Sequence, residues 1–417
     1  MNKRIKLNLP FFIFKKLKSN RDKNNISSRI IKIAFLSVFL GFFVSLSAVS
    51  IGKGLQYSIK SKLYSINPDL VISTYENINR GLYSDKIKNI ESLIDSVQLI
   101  KDIQKVNYSI EIPSIISKNN IIETIIFKGF DDKYSFENIN QYILSDENKI
   151  EKLEPDEILI SKNLFDQFNL SFNESLMLYF QTDFNQKIPN VRYYKIRGVF
   201  QTDFPDFDNN YIIGNVTSIQ NLNNWNSFDY SAIEISLIDK SNIDIVKKKI
   251  SSIDLLNKNN LAIQTVESKF QNIFNWVSIF DFNIILILVL MIIISIISVV
   301  ISTLSMVFER IKMIGILSSI GSSNKIIGRI FFYHGFEVLI KGILAGNLIF
   351  FVVYYIQNKY EVIKLNPSDY YVDSLPFIID FSIISYVNIS FLFISGFTLF
   401  VTFKSISKLV PLKNINS

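Results

Sequence analysis

The 417-residue chain has no cysteine and a single histidine. Without cysteine there can be no disulfide staple, no thiolate nucleophile and no cysteine-bound metal. The lone His334 leaves neither a Ser-His-Asp triad nor a histidine-based metal cluster to be built, and buried packing is its expected role. A G-x-x-x-x-G-K-[ST] phosphate loop is also absent, since Gly321-Ser-Ser-Asn-Lys325 lacks the spacing and the second glycine. Asp203, Asp206 and Asp208 lack the glycine and the distal glutamate of an EF-hand loop and read as a solvated acidic loop. No catalytic, cofactor-binding or metal-binding residue emerges.

Charge is missing from one long run. Phe282 to Phe308 carries no ionisable side chain, and at about 1.5 Å per helical residue such a run crosses a hydrocarbon core of about 30 Å. Three further apolar stretches give four spans, at 31–52, 281–308, 330–357 and 381–403. The first carries no charge between Lys32 and Lys53, and the fourth none between Asp380 and Lys404. The third holds Glu337 and Lys341, which share a helix face at i and i+4, can pair, and are expected to face the bundle. Ala48 and Ser50 have the small side chains of a signal-peptide cleavage site. The basic segment before the first span is too long for that, and the span reads as a retained anchor.

The chain carries 44 Lys and Arg against 37 Asp and Glu, a net charge of +7. The excess concentrates before the first span (Lys3 to Lys32), between the second and third (Arg310, Lys312, Lys325, Arg329) and after the fourth (Lys404, Lys408, Lys413). By the positive-inside bias, residues 1–30, 309–329 and 404–417 lie on the cytosolic face, with both termini there, and 53–280 and 358–380 lie on the far side. The positive charge therefore reads as topology in a lipid bilayer and not as nucleic-acid binding.

Segment 53–280 alternates short strands and helices. Strands are expected at Asp69–Thr74, Val106–Ile112, Ile121–Lys128, Glu157–Ser161, Ser175–Gln181, Val191–Phe200, Tyr211–Ile213 and Ala232–Leu237. Helices are expected at Ser84–Val97, Asn163–Phe168, near Ser218 and at Ile243–Ile253, with helical pattern from Val266 into the second span. The fold class is a membrane protein, an α-helical four-span bundle with a large inserted α+β domain. Ser37, Gly41 and Ser45 in the first span, and Gly342 and Gly346 in the third, are small residues at four-residue spacing that let helices approach closely, within the bundle or in a dimer.

The connector 309–329 is the most patterned segment. Met313, Ile314, Leu317 and Ile320 form a narrow apolar stripe, Gly321 can end that helix, and Ser322 or Ser323 can cap the next. The stripe suits either an interfacial helix in headgroups or a knob for a soluble partner.

The run Glu309-Arg-Ile-Lys-Met-Ile-Gly-Ile-Leu-Ser-Ser-Ile-Gly321, followed by Ile326-Ile-Gly-Arg-Ile-Phe-Phe-Tyr-His-Gly335, resembles the FtsX-like permease family of ABC transporters, especially its lipoprotein-releasing (LolC/LolE-type) branch. Pro10-Phe-Phe-Ile-Phe-Lys-Lys-Leu17, Gly54-Leu-Gln-Tyr and Leu365-Asn-Pro-Ser-Asp-Tyr-Tyr-Val-Asp-Ser-Leu-Pro376 resemble that branch's N-terminal elbow, post-helix entry and loop between spans three and four. The likeness runs through the whole chain in order, and Val410-Pro-Leu-Lys-Asn-Ile415 keeps only a trace of the family's ending.

The resemblance implies a non-catalytic bacterial inner-membrane subunit whose inserted domain is of the MacB-like periplasmic core type. It also implies that ATP and Mg are bound by a separate cytosolic ABC ATPase, and that the chain pairs with a second permease subunit, identical or not. Glu309, Arg310, Met313, Ile314, Leu317 and Gly321 would couple to that ATPase. The branch implies extraction of acylated lipoproteins and transfer to a periplasmic carrier. Phe39, Phe42, Phe43, Val44, Ile285, Leu288 and Met291 are candidates for the acyl-chain cavity, and Lys187, Pro189 and Arg192 of the 182–192 hairpin for carrier docking. The alternatives are a mechanotransmitter that regulates a cell-wall hydrolase and a macrolide or peptide efflux permease.

Overall fold

The computed structural model describes residues 10–13, 26–87, 90–118, 120–144, 149–180 and 189–409. It divides into two compact units. One comprises the chain up to Gln56, Val277–Lys364 and the chain from Ser374, and the other Tyr57–Trp276 with Leu365–Asp373.

Among the described residues four helices, Ile26–Ile66, Gln271–Glu309, Asn324–Tyr360 and Phe381–Leu409, are long and apolar enough to cross a membrane. The first helix continues well beyond the apolar run, and the second begins before it. A helix propagates once nucleated, so the end of an apolar stretch does not end it. Their shared core includes Val38, Phe42, Leu46, Leu339, Ile343, Phe350 and Phe391.

Close backbone approach explains the small residues. A Cβ on Gly342 would lie 2.5 Å from Val38 Cγ1, one on Gly346 2.7 Å from Phe42 Cδ1, and one on Gly41 2.3 Å from Ser295 Oγ. The glycine faces of the first and third spans thus pack inside this chain. Ser45 is buried and its hydroxyl donates to the Gly41 carbonyl (2.7 Å), while the Ser37 hydroxyl donates to Ile33 O (3.0 Å). Asn347 and Asn388 exchange side-chain hydrogen bonds (2.8 and 3.3 Å) between the third and fourth helices.

Among the described residues the second unit is built on nine strands: β1 Leu70–Thr74, β2 Ile103–Lys118, β3 Ile121–Phe130, β4 Glu157–Ser161, β5 Ser175–Phe180, β6 Asn190–Phe200, β7 Tyr211–Asn215, β8 Ala232–Leu237 and β9 Leu261–Thr265. Their order is β3-β7-β4-β6-β5-β2-β8-β1-β9, and β2 also pairs with β3. Six strands therefore close a circuit, which removes free edges there. Among the described strands only β3–β7 and β4–β6 run parallel.

Alternate residues of these strands, among them Ile110, Ile112, Ile125, Phe127, Ile158, Ile160, Leu178 and Ile196, fill one core. A second core forms where β1, β8 and β9 meet Leu93 and Val97 of helix Ile90–Gln98 and Val246 and Ile250 of helix Ile243–Ser251.

β2 is twice as long as its periodicity suggested, because it runs through Pro113. The Glu111 N–H bonds the Tyr83 carbonyl (2.8 Å), so the missing N–H of Pro113 falls on that same side. There β2 leaves β8 after Ser109 and meets β5 only at Ser114, so no ladder bond is lost. The helix expected from Ser84 begins at Ile90 instead. Residues 82–87 stay outside the helix because their backbone bonds elsewhere: Tyr83 N–H to Glu111 (3.3 Å) and Ile87 N–H to Tyr230 O (2.8 Å).

Candidate functional site

The second span ends at Glu309, Arg310 leaves helical geometry, and a separate helix runs Ile311–Ser319. It stops in a Schellman arrangement: Gly321 has φ +91, its N–H bonds Ser318 O (3.0 Å), and Ser322 N–H bonds Leu317 O (3.0 Å). Ser323 then occupies the cap position of the next helix, without a side-chain bond.

Ile314 is buried with Val307, Ile327 and Phe331, and Met313 and Leu317 pack half-buried against them. The apolar stripe put forward for docking is thus largely the face that seats the connector on its own helices. The outward face carries Ile311 (61% exposed), Ile316 (60%) and Ile320 (77%), with Lys312 and Glu309 also exposed. Sequence periodicity cannot tell which of two apolar stripes on a short helix points inward.

Among the acyl-cavity candidates, Phe42 is fully buried and meets Phe391 edge-on (5.2 Å) as well as Gly346. It is a packing residue and lines no open space. Phe39 and Phe43 stack at 6.4 Å in a ladder continued by Phe35, and they, Val44, Leu288 and Met291 are half-buried. Ile285 is exposed. Toward the end of this region, Lys53 Nζ pairs with Asp281 Oδ1 (2.6 Å) and Gln56 donates to Val277 O (3.2 Å), tying the first two spans together.

In the hairpin, Lys187 lies outside the described residues. Pro189 and Arg192 are exposed, where β5 and β6 pair from Phe180 opposite Asn190. Glu337 and Lys341 do pair, at 2.6 Å, with Lys341 more than half exposed.

The acidic loop proves to be structured. Asp208 is buried and accepts from Thr202 N–H (3.1 Å) and Oγ1 (2.6 Å), and burial raises its pKa. Asp203 faces Lys62 instead (3.5 Å). No group of three metal-ligating side chains forms among the described residues.

The sequence reading missed a buried charge network in the inserted domain. Lys128 Nζ lies 2.8 Å from Glu234 and 3.7 Å from Glu111, and Ser109 Oγ donates to Glu234 (2.6 Å). Burial opposes the charge on Lys128, yet the two carboxylates outweigh it and raise its pKa. Nearby, burial lowers the pKa of Lys269, whose ammonium sits 4.7 Å above the Tyr83 ring. A signal existed: Glu111, Lys128 and Glu234 each stand singly inside an apolar strand segment.

Residues 285–411 match the FtsX-like permease C-terminal family. The match supports an FtsX-like ABC permease, a subunit type that is generally non-catalytic and has an ABC ATPase as its partner. An uncharacterized membrane protein of Buchnera aphidicola subsp. Schizaphis graminum (strain Sg) is 25% identical over 352 residues, 82% of this chain and 80% of that one. The periplasmic region of MacB from Actinobacillus actinomycetemcomitans matches at 14% identity and TM-score 0.33, over 49% of this chain and 92% of that one. The extracellular domain of the ABC-type transporter YknZ from Gram-positive bacteria matches at 13% identity and TM-score 0.32, over 48% and 100%. The protein is a membrane protein with an inserted α/β domain.

Proposed function

We propose that this chain is the permease subunit of an inner-membrane ABC transporter that extracts acylated lipoproteins and passes them to a periplasmic carrier, with both termini cytosolic. The family match over 285–411, which includes the connector and the two spans that follow it, supports the permease part of this reading. ATP and Mg are held by the partner ATPase, and a second permease subunit completes the pathway. Exposing acyl chains to water costs about 0.8 kcal/mol per CH₂, so a multi-acylated protein does not leave the bilayer unaided.

In this reading Glu309, Arg310 and Gly321, with the outward Ile316 and Ile320, meet the ATPase, while Met313, Ile314 and Leu317 hold the connector rigid enough to transmit its movement. Ile285 and the half-buried Phe39, Phe43, Val44, Leu288 and Met291 remain the acyl-chain candidates, and Pro189 and Arg192, with Lys187, the carrier-docking ones.

The test is co-purification of the permease with its co-expressed ATPase. Ile316→Asp should release the ATPase and leave the permease folded, whereas Ile314→Asp should destabilise the permease itself. An ATPase that stays bound to Ile316→Asp would remove the outward face from the interface. An ATPase that never co-purifies would remove the transporter reading.

A further inference from the structure

One cation of the inserted domain is left over from the buried charge network. Lys128 faces Glu234 at 2.8 Å and Glu111 at 3.7 Å, so its charge is matched. Lys269 has no such match. Among the described residues its ammonium makes neither an ion pair nor a hydrogen bond, and meets only the rings of Tyr83 (4.7 Å) and Phe270 (5.8 Å). An ammonium withdrawn from water without an acceptor is costly, and burial accordingly lowers its pKa.

Lys269 lines a small pocket with Val71, Tyr83, Lys128, Gln264 and Val266, all of them in the inserted domain. Tyr83, fully buried, organises this wall. Its ring lies under the Lys269 ammonium, and its hydroxyl donates to Gln264 Oε1 (2.6 Å). That bond leaves the amide NH₂ of Gln264 as a second donor without a partner among the described residues. Glu111 and Glu234 are not wall residues. The interior takes about one water-sized group, which admits a single-atom anion and excludes a whole sulfate or phosphate. Charge agrees with size. The two lysines and two glutamates sum to zero, so a monovalent anion adds a single negative charge where a dianion would add two.

We propose that this pocket binds one small monovalent anion of chloride's size, held by the Lys269 ammonium and the Gln264 amide. Lys269 supplies the charge, Gln264 the second hydrogen bond, and Tyr83 positions both. The anion removes the cost of an unpaired ammonium and ties β9 to the short helix Val266–Lys269 that follows it. The inference rests on the inserted domain alone and does not depend on what is transported.

The test uses the full-length protein in detergent, in sodium chloride and in sodium gluconate at equal ionic strength, gluconate being too large to enter. Amide exchange over 261–270 should be about threefold slower in chloride when its concentration is twice the dissociation constant, and bromide should act like chloride. Exchange in β4 should be the same in all three salts. The protein should also broaden the ³⁵Cl resonance. That broadening should vanish in Lys269→Met, fall in Gln264→Met and persist in Lys162→Met, a change at an exposed lysine. Equal exchange over 261–270 in chloride and gluconate would overturn the site, and this comparison needs no variant. Broadening that survives Lys269→Met, with β4 still protected, would overturn it as well.

Discussion

Two ion-pair systems in this chain occupy opposite surroundings. In the inserted domain Lys128, Glu111 and Glu234 are at most 5% exposed and come from three different strands. In the third span Glu337 and Lys341 come from one helix, four residues apart, and Lys341 is 56% exposed. The first system exists only when β2, β3 and β8 are in register, so its charges are compensated by the tertiary fold. The second is compensated locally and forms wherever the helix forms. Burial of charge thus specifies the sheet, whereas the helical bundle is specified by shape, through glycines set against larger side chains.

Removing one partner from the buried network is the largest expected perturbation. Lys128→Met leaves two carboxylates buried without their cation and should cost about 3–5 kcal/mol in urea unfolding of the detergent-solubilised protein. Replacing all three together by Met or Leu should recover most of that loss, because the cost lies in the uncompensated charge. Next comes packing in the bundle. Gly346→Leu must displace Phe42 and should cost about 1–3 kcal/mol, while Gly396→Leu, where a Cβ meets nothing within 4 Å, should stay within about 0.5 kcal/mol.

A single buried carboxyl sharpens the same point. Burial pushes Asp131 up to about 6, and its Oδ1 lacks a hydrogen-bond partner. A carboxyl whose folded pKa lies above its unfolded value favours the fold most at low pH, and that contribution is lost as pH rises through the folded value. Asp131→Asn should therefore stabilise the domain by about 2 kcal/mol at pH 8 and by almost nothing at pH 4, measured as unfolding midpoints across that range. A small effect is also expected at the local pair: Glu337→Gln should change stability by less than about 1 kcal/mol.

Much of the framework was legible in the sequence. The uncharged run from Phe282 to Phe308 and its three companions marked the four long helices, because hydropathy responds to composition alone. Strands β4 and β8 were legible to the residue from their apolar runs. Strand β9 was not, because Leu261-Ala-Ile-Gln-Thr265 is short and its alternation weak, and it becomes a strand by pairing with β1. Pro113 hid the second half of β2, since its tolerance depends on a gap between two neighbouring strands that no local pattern encodes. For the candidate site, the connector was visible and its orientation was not. Ile314 and Ile316 look alike in sequence, and only contact with Val307 and Phe331 separates the seat from the exposed face.

The proposal to be tested is that this chain acts as a permease subunit that moves a lipid-anchored protein using another chain's ATP hydrolysis. The direct measurement reconstitutes the permease with its ATPase and a triacylated lipoprotein in liposomes, and follows lipoprotein arriving on a soluble carrier. The account predicts ATP-dependent release that disappears in Ile316→Asp. Vigorous ATP hydrolysis with all the lipoprotein still in the membrane would contradict it and favour a mechanotransmitter.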